Sequence, residues 1–336
     1  MSIHASERLI VDGLTVAFDG GRRRVVRDVS FAVEPGEAVG IVGESGSGKS
    51  LTLRAILGLL PPGARLEGSI RLGDRDLSRL GARQMQALRG STVAMVFQDP
   101  MTALNPVLRV GDAIAQVVSS HERMNRSAAR LAAIELMERV GIRDAAARSH
   151  AYPHQFSGGM RQRIVIAMAL AARPTLLLAD EPTTALDVIV QAEILRLLDR
   201  LRREDGMSLL LVSHDFAVVS GLCDRVGVMY AGELVERGPA RGVLSRSLHP
   251  YTIGLLKSLP EASDGGRLPS IPGSPPEPGD LGAGCVFAPR CWMAKAECRA
   301  APIPFLEVMP GRWSRCIRVD DLDELRPTLA AGVSGG

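Results

Sequence analysis

At 336 residues, 46% of them hydrophobic, the chain has room for one large α/β domain with a small appendage, or for two modest domains. A net charge of +3, with basic residues interspersed among acids and no basic tract, argues against a nucleic-acid partner and leaves a membrane-side or protein partner open. Met1 to Arg8 is polar and no window is apolar for long enough to cross a bilayer, so the chain is expected to be cytoplasmic.

The first part of the chain consists of short alternating runs: Leu9-Ile10-Val11, Leu14-Thr15-Val16-Ala17-Phe18, Val25-Val26 and Val29-Ser30-Phe31-Ala32-Val33. This pattern predicts antiparallel strands ahead of the first parallel strand. Phe18 lies just before a turn, where an aromatic ring either stacks on a base or fills a core. An apolar run from Ala38 to Val42 then meets Gly43-Glu44-Ser45-Gly46-Ser47-Gly48-Lys49-Ser50, the pattern G-x-x-x-x-G-K-[ST], and a helical pattern begins at Lys49 and runs on through Leu51. The glycines let the backbone curl so that successive N–H groups face one concavity, and the helix start adds its positive dipole end. A polyphosphate fits there, with Lys49 reaching the β and γ phosphates and the Ser50 hydroxyl ligating Mg2+.

Leu53, Ile56, Leu57 and Leu60 keep helical spacing until Pro61-Pro62-Gly63. A strand from Val93 to Phe97 delivers Gln98 at its carboxyl end, the edge where open α/β sheets gather ligands. From about 100 to 173 the chain reads as a helical insertion between two strands. Within it Ser127 is placed to cap a helix with Leu131, Ile134, Met137 and Val140 on one face and Gly141 at its end. The last helix opens with Phe156-Ser157-Gly158-Gly159-Met160-Arg161-Gln162. Leu176-Leu177-Leu178-Ala179 reads as a buried strand ending in Asp180-Glu181, where one carboxylate can hold Mg2+ and the other can polarise a water aimed at the γ phosphate. An amphipathic helix from Asp187 to Arg203 and a strand from Ser208 to Val212 follow, with Ser213-His214-Asp215 at the strand's end. A lone histidine is more often a packing or surface residue than a catalytic one, and its place at a third strand end favours function.

These landmarks resemble the ATP-binding cassette of ABC transporters over roughly Leu9 to Pro260. Phe18 matches the base-stacking aromatic, Gly43 to Ser50 the Walker A loop, Gln98 the Q-loop glutamine and Ser157-Gly158-Gly159 the signature. Asp180-Glu181 matches Walker B with its catalytic glutamate, Ala185-Leu186-Asp187 the D-loop and His214 the switch histidine. One departure is visible: Phe156 and Met160 flank the signature where the family usually has Leu and Gln. The resemblance implies an α/β P-loop ABC-type nucleotide-binding domain, with a RecA-like mixed sheet core, an antiparallel β subdomain and a helical insertion. It implies ATP and Mg2+ as ligands, with Ser50, Gln98 and Asp180 around the ion and Glu181 as general base. Because the signature lies far from its own phosphate loop in this fold, it also implies a second cassette packed head to tail. Two membrane permease subunits and, indirectly, a substrate-binding protein complete the implied assembly, on the cytoplasmic face of the cell membrane.

A narrower likeness appears in Phe97-Gln98-Asp99-Pro100-Met101-Thr102-Ala103-Leu104-Asn105-Pro106, in Tyr152-Pro153-His154-Gln155 leading into the signature, and in His249-Pro250-Tyr251-Thr252. These look like the dipeptide/oligopeptide branch of importers, which includes nickel importers. A soluble ABC ATPase acting on nucleic acid would usually carry two cassettes, zinc modules or long coiled coils, and a P-loop GTPase or small-molecule kinase has no use for the Ser-Gly-Gly helix.

The expected boundary falls at 260, with residues 261–336 forming a small Cys-rich extension. From Pro260 to Gly284 the chain is dense in Pro, Gly and Ser and reads as a linker or irregular wrap. It leads to Cys285-x5-Cys291-x6-Cys298-x17-Cys316, which lacks the closely spaced pair usual in structural zinc sites. Wider gaps still suit an iron–sulfur cluster. Members of the peptide-importer branch similar to this chain carry a [4Fe–4S] cluster on such cysteines, so the resemblance favours that cluster over zinc, and both over four buried unligated thiols.

Overall fold

The computed structural model describes residues 7–184, 186–258, 270–279 and 281–325. Strands β1 (Leu9–Phe18), β2 (Arg23–Val33) and β3 (Ala38–Val42) lead into helix α1 (Lys49–Ile56), followed by β4 (Arg65–Leu72), β5 (Arg75–Asp76), α2 (Ala82–Leu88) and β6 (Val93–Val96). Then come helices α3 (Pro100–Ala103), α4 (Val110–His121), α5 (Arg126–Arg139), α6 (Ala145–Arg148) and α7 (Gly158–Leu170). After these lie β7 (Leu176–Asp180), α8 (Val188–Asp205), β8 (Ser208–Ser213), α9 (Phe216–Leu222), β9 (Arg225–Tyr230) and β10 (Glu233–Pro239). The described chain finishes with α10 (Ala240–Ser245), α11 (Pro250–Lys257), α12 (Glu297–Ala300), β11 (Leu306–Met309) and β12 (Arg312–Ser314).

Two compact units divide these elements, and each is discontinuous in sequence. One comprises Val33–Ala38 and Leu72–Leu211 together with the described residues up to Leu9; the other comprises Ile10–Ala32, Val39–Arg71 and the described residues from Val212 on.

In the first unit β6 and β7 pair in parallel, with Val93 opposite Leu176 and Val96 opposite Ala179, and β8 lies beside β7. All five residues of β7 are buried, as the unbroken apolar run predicts for a central parallel strand. The helical stretch holds α4 and α5 against each other and both against α7. The face of α5 is only in part the one its large apolar residues suggest. Ala129, Ala133 and Met137 are buried, with Val140 just past the helix, whereas Leu131 is 61% exposed. Two alanines let the partner helix approach closely, so the packed stripe runs through small residues rather than through Leu131 and Ile134. The cap also differs from the expected Ser127. Asn125 sits at the N-cap, and its side-chain oxygen accepts the Ala128 N–H at 2.9 Å. Gly141, at φ +81°, ends the helix as expected.

In the second unit the four short runs at the start of the chain form two long strands, β1 and β2, side by side and followed by β4. A second set of strands runs β11-β12-β10-β9-β3, in which β3 and β9 are parallel and the others antiparallel. The described part of the Pro/Gly-rich stretch has no helix or strand, and 260–269 and 280 lie outside the described residues. Residues further on are built into the unit's interior: β12 adds to the edge of β10, and Phe287 is fully buried. Its ring packs on Tyr230 at 5.2 Å and Tyr251 at 5.3 Å between centroids.

A buried ion pair joins β12 to β10, where an Arg312 Nη2 donates to Glu236 Oε1 at 2.9 Å. The same carboxylate oxygen accepts the Leu248 N–H at 2.9 Å, and Glu236 has no exposed surface. Removing one partner of such a pair leaves the other charge in a low-dielectric interior. Glu236→Ala is therefore expected to lower unfolding free energy by about 3–5 kcal/mol, read from the urea midpoint, with Glu236→Gln losing less because it keeps a hydrogen-bond acceptor.

Candidate functional site

The phosphate loop lies in the second unit. All five residues of β3 are buried, and its C-terminal end feeds Gly43. A Cβ at Gly43 would collide with the Met229 carbonyl, so only glycine lets the loop pass this close to β9. Gly48 has φ +102°, a left-handed conformation at the N-cap of α1, with Val25 O 3.0 Å from where a Cβ would sit. Between them Ser45 and Gly46 are exposed and Ser47 is buried, as is Lys49 just beyond. Lys49 turns its ammonium back onto the loop, donating to the carbonyls of Gly43 at 2.8 Å and Glu44 at 2.9 Å. The Ser47 carbonyl accepts the Gly232 N–H at 3.0 Å, which ties the loop to the β9–β10 turn. Ser50 and Leu51 begin the helix, half-buried.

Phe18 ends β1 half-buried, with the Arg23 guanidinium 5.3 Å above its ring centroid. His214 follows β8 and is exposed; Asp215 beside it caps α9, accepting the Ala217 N–H at 2.8 Å.

The carboxylates lie in the first unit. Asp180 ends β7 and is buried. Glu181 follows with φ +46°, a left-handed conformation that costs a non-glycine residue about 1–2 kcal/mol. The bend turns its carboxylate out of the strand. Gln98 Nε2 donates to Glu181 Oε2 at 3.1 Å and the Thr184 hydroxyl donates to the same oxygen at 2.9 Å. Two of the residues expected around the reacting phosphate, Gln98 and Glu181, are thus in direct contact. Thr184 was not singled out from the sequence, although a hydroxyl three residues past a carboxylate on a tight turn is a signal that local geometry can expose.

The signature sits at the start of α7, where Ser157 is the N-cap and its hydroxyl accepts the Met160 N–H at 3.4 Å. Ser157 and Gly158 are exposed. A Cβ on Gly159 would collide with Val190 Cγ1, so this glycine allows α7 to lie against α8. Asp187 caps α8, accepting the Val190 N–H at 3.0 Å; Ala185, the first residue of the expected D-loop, lies outside the described residues.

Sequence reading missed how the phosphate loop is held from behind. The Tyr251 hydroxyl accepts the Glu44 N–H at 2.9 Å, and Arg290 grips the Glu44 carboxylate at 2.8 and 3.2 Å. Neither partner lies near the loop in sequence. His249 is buried and its Nδ1 accepts the Tyr251 N–H at 3.1 Å, capping α11; burial pushes its pKa down to about 3, so the ring is neutral.

Cys285, Cys291, Cys298 and Cys316 line one cavity in the second unit, together with His249 and Arg315. The Cys285 N–H donates to the Cys298 carbonyl at 2.8 Å. Burial is the main force pushing the thiols up, Cys285 to about 11 and Cys316 to about 12, and neighbouring thiols push the same way. Among the described residues no three His, Cys, Asp or Glu side chains close on a single metal ion. The potential donors lining the cavity are four thiols and the His249 ring, with Arg315 and Arg318 and no carboxylate.

Two changes probe the signature. Ser157→Ala is expected to lower stability by about 1 kcal/mol through the lost cap, and Gly159→Ala by about 1–3 kcal/mol through overpacking against Val190, both measured by chemical denaturation.

Residues 26–184 match the ABC transporter family and residues 235–298 match the C-terminal region of oligopeptide/dipeptide transporters. A putative peptide import ATP-binding protein of Brucella melitensis is 49% identical, over 94% of this chain and 96% of its own length. The oligopeptide transport ATP-binding protein OppD of Salmonella typhimurium is 46% identical over 91% of both chains. Among solved structures, a dimeric ATP-binding cassette in a post-hydrolysis state with ADP and Pi aligns with a TM-score of 0.62 at 29% identity, covering 70% of this chain and 99% of its own. A cassette of Clostridium perfringens from the cbiONQ transporter complex aligns with a TM-score of 0.61 at 26% identity, covering 71% of this chain and 90% of its own. At this identity and coverage the chain belongs to the ABC transporter family, as an ATP-hydrolysing subunit of its oligopeptide/dipeptide branch.

Proposed function

We propose that the chain is the motor of a peptide importer, with one ATP·Mg2+ bound at the phosphate loop and hydrolysed by a water that Glu181 activates. The observation that carries the chemistry is the strained Glu181, whose carboxylate is oriented by Gln98 and Thr184. Backbone strain kept at a carboxylate with two directed donors is what a positioned general base requires. Loop amides from Gly43 to Leu51 and the Lys49 ammonium take the phosphates; Ser50, Gln98 and Asp180 serve Mg2+; Phe18 serves the base; His214 contacts the γ phosphate.

The Ser157-Gly158-Gly159 tip, exposed at Ser157 and Gly158, offers N–H groups and a positive helix end to the ATP of a second cassette, with Asp187 beside that junction. The γ phosphate then acts as glue between two cassettes and its loss releases them. The relatives' names support peptide as the solute; two membrane permeases and an indirect binding protein as partners, and a place on the cytoplasmic face of the membrane, belong to the same reading. Among the described residues no helix is long and apolar enough to cross a membrane, which leaves the crossing to partners. Nickel or another small solute of the same branch is the alternative cargo.

The extension after residue 260 holds, on this reading, a [4Fe–4S] cluster on Cys285, Cys291, Cys298 and Cys316. What supports this reading is that the four thiols line one cavity at spacings wider than structural zinc sites usually have. Bound there, it would cross-link the extension through iron–thiolate bonds, displacing thiol protons that burial otherwise retains.

Glu181→Gln is expected to bind ATP like the parent, to hydrolyse it at least a hundredfold more slowly, and to accumulate as a dimer on size-exclusion chromatography. Lys49→Ala is expected to lose ATP binding itself. Turnover of Glu181→Gln at the parental rate in the assembled transporter would remove the glutamate from this role. Anaerobically purified protein is expected to be brown and to contain iron, and Cys291→Ser to lose both colour and iron.

A further inference from the structure

We propose that Arg290 is a positioning residue for ATP binding, through which the turn between Cys285 and Cys291 sets the shape of the phosphate loop. The inference rests on the assignment of Gly43 to Ser50 as that loop. Glu44, its second residue, has every polar group engaged inside the protein. Its N–H donates to Tyr251, its carbonyl accepts from Lys49 and from the Ser47 N–H, and both carboxylate oxygens accept from Arg290. Glu44 therefore anchors the loop instead of offering donors to a phosphate.

The anchor is built for rigidity. Arg290 presents its two terminal nitrogens to two oxygens of one carboxylate, the planar fork that a lysine cannot reproduce. Its side chain is 7% exposed, and it is itself held: Nε donates to the Pro272 carbonyl at 2.9 Å, and Nη2 to the Ile271 carbonyl at 3.2 Å. Nη1 also donates to the Tyr230 hydroxyl at 3.3 Å, and the guanidinium lies 5.7 Å from that ring's centroid. At its other end Arg290 belongs to a tight turn, in which the Cys285 carbonyl accepts the Ala288 N–H and the Phe287 carbonyl accepts the Arg290 N–H, each at 3.0 Å. The buried Phe287 ring fixes that turn against Tyr230 and Tyr251. Nothing in ATP hydrolysis requires an arginine some 246 residues downstream to hold the loop's second residue. The arrangement instead makes a prefolded loop depend on the cysteine-bearing turn, and a prefolded loop binds more tightly because less ordering is left to binding.

The test is a double-mutant cycle on the full-length chain, read as the dissociation constant of a fluorescent ATP analogue with Mg2+ and, separately, as melting temperature. Arg290→Gln and Glu44→Gln are each expected to weaken binding about tenfold, equivalent to about 1.4 kcal/mol. In the double variant the loss should stay about tenfold, since one contact cannot be lost twice. A general loss of structure would move melting temperature without this non-additivity. Equal affinity of Arg290→Gln and parent, or losses that add in the double variant, overturns the proposal. Should Arg290→Gln fail to fold, Glu44→Gln carries the test alone: it removes a half-buried charge and no backbone contact, and parental affinity in it overturns the proposal equally. A parent that does not bind the analogue, or a Lys49→Ala that binds as the parent does, sinks the loop assignment instead.

Discussion

Everything nucleotide-related in this chain depends on a backbone that has to be curled before a phosphate arrives. An unliganded loop of exposed glycine and serine has many conformations, and each ordered residue costs about 1–2 kcal/mol in backbone entropy. The protein meets that cost with fixed neighbours on every side of residues 43–50. The buried strand β3 delivers the chain, Met229 leaves room only for a hydrogen at Gly43, and the Gly232 N–H holds Ser47. Lys49 folds onto two loop carbonyls from inside, and Tyr251 and Arg290 grip Glu44 from outside. The Lys49 ammonium thus ties the loop together through two of its carbonyls.

The other half of the chemistry uses strain rather than support. Glu181 occupies a backbone conformation that its neighbours in β7 do not, at the point where a buried parallel strand must stop and present a charge. Gln98 and Thr184 both address one oxygen, Oε2. Two directed donors on one oxygen fix the orientation of the carboxylate plane at the strand end.

How much of this was legible beforehand differs by kind of information. Motifs read well because their chemistry is written in contiguous residues: the loop Gly43 to Ser50, the Asp180-Glu181 strand end and the Ser157 cap all sit on the elements the patterns implied. The face of α5 did not read well, since counting large apolar residues selects Leu131 and overlooks Ala129 and Ala133, whose value lies in how little space they take. Asn125 displaced Ser127 as the cap because an N-cap is decided by where the backbone turns, and either side chain would serve. The grip on Glu44 was illegible for a different reason. Its partners lie 207 and 246 residues away, and no local periodicity carries a contact of that range. The His249-Pro250-Tyr251-Thr252 run was visible as a family mark, yet only the folded chain shows that its histidine caps α11 and its tyrosine reaches the loop.

The aromatic cluster of Tyr230, Tyr251 and Phe287 has an evolutionary consequence. Solved cassettes align over 99% of their own length while covering 70% of this chain, so part of this chain has no counterpart in them. Here Tyr230 and Tyr251 are enclosed with the help of Phe287, which comes from the C-terminal part of the chain. A descendant that deleted that part would present both rings to water and leave the Glu44 carboxylate without its arginine.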